Sequence, residues 1–262
     1  MDFGLNGKSA LVMASSGGLG LGIARSLAAE GVSVMLTGRN EDNLAKAAKQ
    51  IEEDTGSKAH WHAADLADPD TPKALVEAAT KALGQIDILV NNTGGPPPGP
   101  LAGADLATVA AQFQSMVMSV MAVTQAVLPQ MRKSGWGRIV TVGSSGVEQP
   151  IPNLGISNAL RGSLAGWSKS LAAEVAGDGV TVNMILPGRI HTSRVDQIDG
   201  AAAKRTGASL EEVRAASHKT IPVGRYGTVE EFASVAAFLA SAPASFVTGS
   251  MLRCDGGMIR SV

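Results

Sequence analysis

The chain has 262 residues, of which 45% are hydrophobic and 17% charged, with a formal net charge of −1. A charge near zero and an aromatic content of 3% exclude an electrostatic footprint for nucleic acid or an anionic membrane, and leave no set of base-stacking platforms. The single cysteine, Cys254, forbids an internal disulfide and fits a reducing, cytoplasmic setting, with the thiol as a small buried residue of the last strand.

In chain order, Lys8 to Ala14 is a short apolar run and reads as a first strand, not as a signal peptide. A Gly-rich turn follows, then a helical pattern over 19–30 that Gly31 ends. Residues 32–37 predict a second strand and 41–54 a helix with Leu44, Ala47, Ala48 and Ile51 on one face. A third strand over 59–63 precedes a helix from Asp68-Pro69 to Leu83, closed by Gly84. A fourth strand, 86–90, leads to the proline-rich stretch Gly94 to Pro100, expected to be stiff and extended. A long helix is expected over 105–132. Its most apolar part, Met116 to Met131, holds Ser119, Thr124, Gln125, Pro129 and Gln130, which suits a buried helix better than a membrane span. Strands over 138–142 and 180–186 bracket a helix over 155–176, and a helix over 228–241 precedes a short strand over 250–253. The polar, Ala-rich segment 194–221 is either a helical flap over a pocket or a surface excursion.

Alternation of strand and helix predicts one α/β domain over 1–262. Its sheet is a doubly wound, parallel Rossmann-type sheet of about seven strands, with right-handed crossovers and helices on both faces. The turn Ala14-Ser15-Ser16-Gly17-Gly18-Leu19-Gly20 joins the first strand to the first helix. There, glycine lets backbone approach a pyrophosphate, and the helix start offers free N–H groups. After the second strand, an acidic residue would select NAD(H); this chain has Gly38 and Arg39. Arg39 is a cation suited to a 2′-phosphate, with Thr37 and Ser15 or Ser16 as further donors, or else a solvated loop residue.

With these motifs in order, the chain resembles the short-chain dehydrogenase/reductase family, in its β-ketoacyl-carrier-protein-reductase-like branch. Asn91-Asn92-Thr93-Gly94, Pro187-Gly188 with Thr192, Pro222 to Gly227, Thr248-Gly249 and Asp255-Gly256-Gly257 carry the resemblance over nearly the whole length. The resemblance implies NADP(H), bound by Ala14, Ser15, Ser16, Gly18, Leu19, Gly20 and Arg39. It implies Asp65 and Leu66 at the adenine, Asn92, Thr93 and Gly94 near the ribose, and Pro187, Gly188, Ile190 and Thr192 at the nicotinamide end. It implies a small-molecule substrate and a homotetramer built through the helices over 105–132 and 155–176.

The resemblance also carries departures. Met13 and Ala14 stand where the family has Thr and Gly, and Ala14 cannot take positive φ cheaply. Family members use Asn, Ser, Tyr and Lys for catalysis. Counting back from Gly166-Trp167-Ser168-Lys169-Ser170-Leu171 puts Arg161 at the Lys position and Ser157 at the Tyr position. The family's Ser falls on Ser144, and its Asn on Met116. Ser157 is a weak substitute for an acidic phenol, and Arg161 does not relay a proton. Ser157 is either a catalytic position or a polar residue of the helix start. His191 and Glu148 are alternative proton donors. The one tyrosine, Tyr226, lies elsewhere. His60 and His62 share one face of a strand, with Asp65 beyond its end, and no metal is expected there. Two functions stay open: an oxidoreductase of a carbonyl/hydroxyl pair with a non-standard site, and a cofactor-binding protein without catalysis.

Overall fold

A computed structural model describes residues 2–262. Seven parallel strands form one sheet: β1 (Ser9–Val12), β2 (Ser33–Gly38), β3 (Ala59–Ala63), β4 (Ile88–Asn91), β5 (Gly137–Val142), β6 (Val180–Pro187) and β7 (Met251–Cys254). Their spatial order is β3-β2-β1-β4-β5-β6-β7. The helices are α1 (Gly18–Ala29), α2 (Glu41–Thr55), α3 (Thr71–Leu83), α4 (Leu106–Phe113), α5 (Ser119–Ser134), α6 (Gly155–Val175), α7 (Ser193–Thr206), α8 (Leu210–Lys219) and α9 (Val229–Ala240).

Strand residues alternate between two apolar cores. Ala10, Val12, Val34, Leu36, Val90 and Val140 face one core with α1, α2 and α9. Leu11, Met35, Leu89, Ile139 and Val182 face the other with α3, α5 and α6. Coverage of both faces is why the inner strands read as continuous apolar runs and not as alternating ones. The chain reverses its strand order between β1 and β4, and so opens a crevice above the carboxyl ends of those strands.

Three local features differ from the sequence expectation. The long helix is not uniformly α-helical: Gln114–Met118 forms a π-helical turn between α4 and α5. The Ser119 hydroxyl donates to Leu66 O at 2.6 Å just past it, a polar tie to the loop after β3. Secondly, α3 starts at Thr71 with Pro72 in its first turn, while Asp68 closes a turn by accepting from the Asp70 N–H. Thirdly, 194–221 contains two helices, α7 and α8, joined at Gly207 (φ +73°). Gly31, at φ +82°, ends α1 as expected.

Candidate active site

Apart from Met116, in the turn between α4 and α5, the sequence-predicted site residues lie at or just past a strand's carboxyl end or on α6. The Gly-rich turn leaves β1 and enters α1. A side chain at Gly17 would meet nothing within 4 Å, and one at Gly18 only Thr192 Cγ2 at 4.0 Å. The backbone there is open to a ligand, and α1 has no side-chain cap on its N–H groups. Gly20 is different: a Cβ would lie 2.6 Å from Ala14 O and 2.7 Å from Asn92 Nδ2, so this glycine serves close packing. Leu19 is half-buried against the core.

Ala14 sits at φ +46°, in the left-handed region where its methyl is strained. Its carbonyl accepts from Asn92 Nδ2 at 3.0 Å, which ties the turn to the loop after β4. Ser15 is fully buried: its hydroxyl donates to Val12 O at 2.7 Å and accepts from the Thr37 N–H at 3.0 Å. Ser15 is therefore a brace between β1 and β2, and the expectation that its hydroxyl would serve a phosphate is corrected. Ser16 is the one beside β2's end, with its Oγ 3.0 Å from where a Gly38 Cβ would lie. Arg39 is exposed and makes no salt bridge among the described residues.

Asp65 is exposed and accepts from the Ala67 N–H, while Leu66 is held through Ser119. Thr93 donates to Gly94 O, and Gly94 is exposed. Gly188 packs where a Cβ would strike the Asp255 backbone at 2.6 Å, just after Pro187 ends β6. Ile190, buried, pairs with Gly227, and Thr192 precedes the first turn of α7.

Ser144 follows β5 and is half-buried. Its hydroxyl accepts from the Gly146 N–H at 3.0 Å, so its own hydrogen is available to a substrate oxygen. Ser157 and Arg161 are one turn apart on α6, each 9% exposed. Arg161 Nη1 donates to Val142 O at 2.7 Å, beside Ser144. Burial, and next the charge of Arg194, lower its pKa to about 10. Met116, 1% exposed, lies within the π-helical turn, and its thioether is at most a weak hydrogen-bond acceptor. Glu148 is ion-paired with Arg253, whose Nη1 also donates to Ser261 O, so that carboxylate is engaged. His191 is exposed, 3.5 Å from Asp196.

Arg194 was not singled out by sequence. It reaches from the first turn of α7 to donate to Pro96 O at 2.7 Å across the crevice, and burial lowers its pKa. Its only sequence signal is its place two residues after Thr192. Tyr226 packs with Val195 and Ile221, and its hydroxyl donates to the fully buried Asp199, which also takes Arg189. Among the described residues, no group of three His, Cys, Asp or Glu could hold a metal ion. His60 and His62 instead line an open groove of about 550 Å³ at the β3 edge with Met35, Trp61 and Lys81, away from the turn and Ser144.

A family model described as enoyl-(acyl carrier protein) reductase matches residues 13–259. The 3-oxoacyl-[acyl-carrier-protein] reductase of Salmonella typhimurium is 36% identical over 254 residues, covering 96% of this chain and 97% of that protein. An NADPH-dependent reductase of Bacillus subtilis is 28% identical over 261 residues, covering 97% and 99%. Among solved structures, L-sorbose reductase from Gluconobacter frateurii, complexed with NADPH and L-sorbose, superposes with a TM-score of 0.95 at 32% identity, covering 100% of both chains.

Proposed function

The chain belongs to the short-chain dehydrogenase/reductase family, and from that membership we propose that it is an NADP(H)-dependent oxidoreductase of a carbonyl/hydroxyl pair. In this reading its substrate class is near that of the 3-oxoacyl reductases, its proton-transfer residues are altered, and its setting is cytoplasmic. The observation that carries the reading is the open backbone at Gly17 and Gly18, facing Thr192 across one crevice whose rim also holds Asn92 and Ser144.

The residues fit the dinucleotide. The uncapped start of α1 suits a pyrophosphate. Ser16 and Arg39 suit the 2′-phosphate, and Gly38 leaves no acid to repel it. Asp65 and Leu66 would border the adenine, Asn92 to Gly94 the ribose, and Pro187, Gly188, Ile190 and Thr192 the nicotinamide. The cofactor, when bound, supplies or accepts a hydride. Ser144 donates its hydroxyl hydrogen to the substrate oxygen. The Arg161 guanidinium stabilises negative charge developing there. With Glu148 engaged by Arg253, His191 is the better of the two substitute proton donors.

Loss of Tyr-type acid catalysis costs about 10² to 10⁴ in rate. Turnover of β-ketoesters and aldehydes with NADPH is thus expected to be slow, to fall further in Ser144→Ala, and to rise in the triple variant Met116→Asn, Ser157→Tyr, Arg161→Lys. Fast wild-type reduction that ignores Ser144→Ala would overturn this assignment. For the cofactor, calorimetric titration is expected to show NADPH preferred over NADH, with Arg39→Ala reducing the preference about tenfold. Equal affinities would remove the basis for NADP(H).

A second reading rests on Met116, Ser157 and Arg161 together: a protein that binds the cofactor and does no chemistry. Tight NADPH binding, with no turnover even in the triple variant, would favour it.

A homotetramer belongs to the same proposal. No charged residue occurs between Leu106 and Met131, and 28% of the helix's most apolar stretch is buried. Leu106, Phe113 and Met118 lie on the uncovered side, at 80, 38 and 46% exposure. By length and composition this helix could also cross a membrane. Its packing against α3 and the β4–β5 face makes a core helix with one face left for a second copy the better account.

A further inference from the structure

Arg161 and Arg194 form an unusual pair. One comes from α6 and the other from the first turn of α7, yet both reach the carboxyl side of two neighbouring strands, Arg161 at the end of β5 and Arg194 at the loop after β4. Each donates to a main-chain carbonyl on the crevice rim, Val142 O for Arg161 and Pro96 O for Arg194. Neither has a carboxylate partner among the described residues; the other unpaired arginines are exposed (Arg25, Arg39, Arg205 and Arg260) or, like Arg138, held by carbonyls and Trp136 at the opposite end of β5. Two like charges held in a half-dry crevice without a counterion are costly, and an arriving anion removes the cost. A single carbonyl contact leaves most of each guanidinium's N–H groups uncommitted, and their planar fork matches a carboxylate.

We propose that the substrate carries a carboxylate close to its reacting carbonyl, and that Arg194 holds it, with Arg161 supplying the second positive charge beside Ser144. This rests on the oxidoreductase reading above and adds the substrate's charge. Arg194 starts from a bond to Pro96 O, so a carboxylate exchanges a neutral acceptor for a charged one. Its position after Thr192 puts the carboxylate at the nicotinamide end of the crevice and not at the phosphate-binding turn. A neutral ketone would leave both cations uncompensated, so the site discriminates against uncharged substrates by charge alone.

The test compares pyruvate, acetoacetate and levulinate, each beside its methyl ester, by calorimetry on the full-length protein with and without saturating NADPH. At least one acid is expected to bind ten- to a hundredfold more tightly than its ester, roughly the range of charge-assisted hydrogen bonds. Arg194→Gln is expected to erase that preference while leaving NADPH affinity unchanged, and Arg194→Lys to restore part of it. Acids and esters binding alike, or Arg194→Gln leaving the acid's affinity intact, overturns the proposal. So does tight binding of inorganic phosphate at the same arginines with none of the acids bound. If NADPH fails to bind while the acid-over-ester preference persists, the arginine site stands and the oxidoreductase reading falls. If NADPH binds and charge makes no difference, the reverse holds.

Discussion

Ala14 shows what one methyl group costs in a tight turn. A non-glycine residue at φ +46° carries about 1–2 kcal/mol of strain, part of which glycine's greater unfolded-state freedom would offset. Ala14→Gly is therefore expected to raise stability by about 1 kcal/mol, read as a higher denaturation midpoint with an unchanged denaturant slope. A lower midpoint would show that the methyl packs usefully. This strain was legible in the sequence, because the family pattern puts glycine there. The role of Ser15 was not: a hydroxyl in a Gly-rich turn reads equally as ligand donor or brace, and only its 2.7 Å bond to Val12 O decides. Arg194 escaped the sequence for a related reason. Its meaning depends on reaching Pro96, which lies 98 positions away in the chain.

Among the elements, strands were the easier part to read, since burial on both faces makes each a continuous apolar run bounded by turn residues. The π-helical turn at Gln114–Met118 left no such trace, because an inserted residue in a stretch without charges, Leu106 to Met131, barely alters its apolar pattern. Segment 194–221 resisted for the opposite reason: α7 and α8 bury few residues, so their periodicity is faint. Helix α9 has clear start signals. Thr228 accepts from the Glu231 N–H, and Glu231 accepts back from the Thr228 N–H, a reciprocal cap. Thr228→Ala is expected to cost about 1 kcal/mol in chemical denaturation. Arg225, chiefly by hydrogen bonding, then the Thr228 N–H, hold the Glu231 pKa down to about 2. A carboxylate depressed on folding stabilises fully above its unfolded value of about 4.3, and that contribution is lost as pH falls toward 2. Glu231→Gln is thus expected to flatten the acid limb of the stability profile; an unchanged limb would assign acid sensitivity elsewhere.

For the molecule as a whole, the parallel sheet collects six loop ends on one rim, so motifs far apart in the chain come out side by side. The assembly is a separate matter. Sedimentation at micromolar concentration is expected to show a tetramer, and Met118→Glu to shift it toward smaller species. A wild-type monomer would refute the proposed interface and require another cover for the apolar face of α4 and α5.

Tyr226 gives the molecule a built-in optical reporter. It is the only tyrosine, and its hydroxyl is fastened to Asp199 of α7. Burial is the first cause that raises its pKa above the ordinary value of 10. The folded protein should therefore resist forming tyrosinate, and stability should decline as pH rises from the unfolded pKa through the folded one. Ultraviolet absorbance at alkaline pH then reads whether α7 is docked, with no label and no competing phenol. Asp199→Asn should bring the titration back toward that of free tyrosine, because it removes a hydrogen bond and a charge that help keep the phenol neutral.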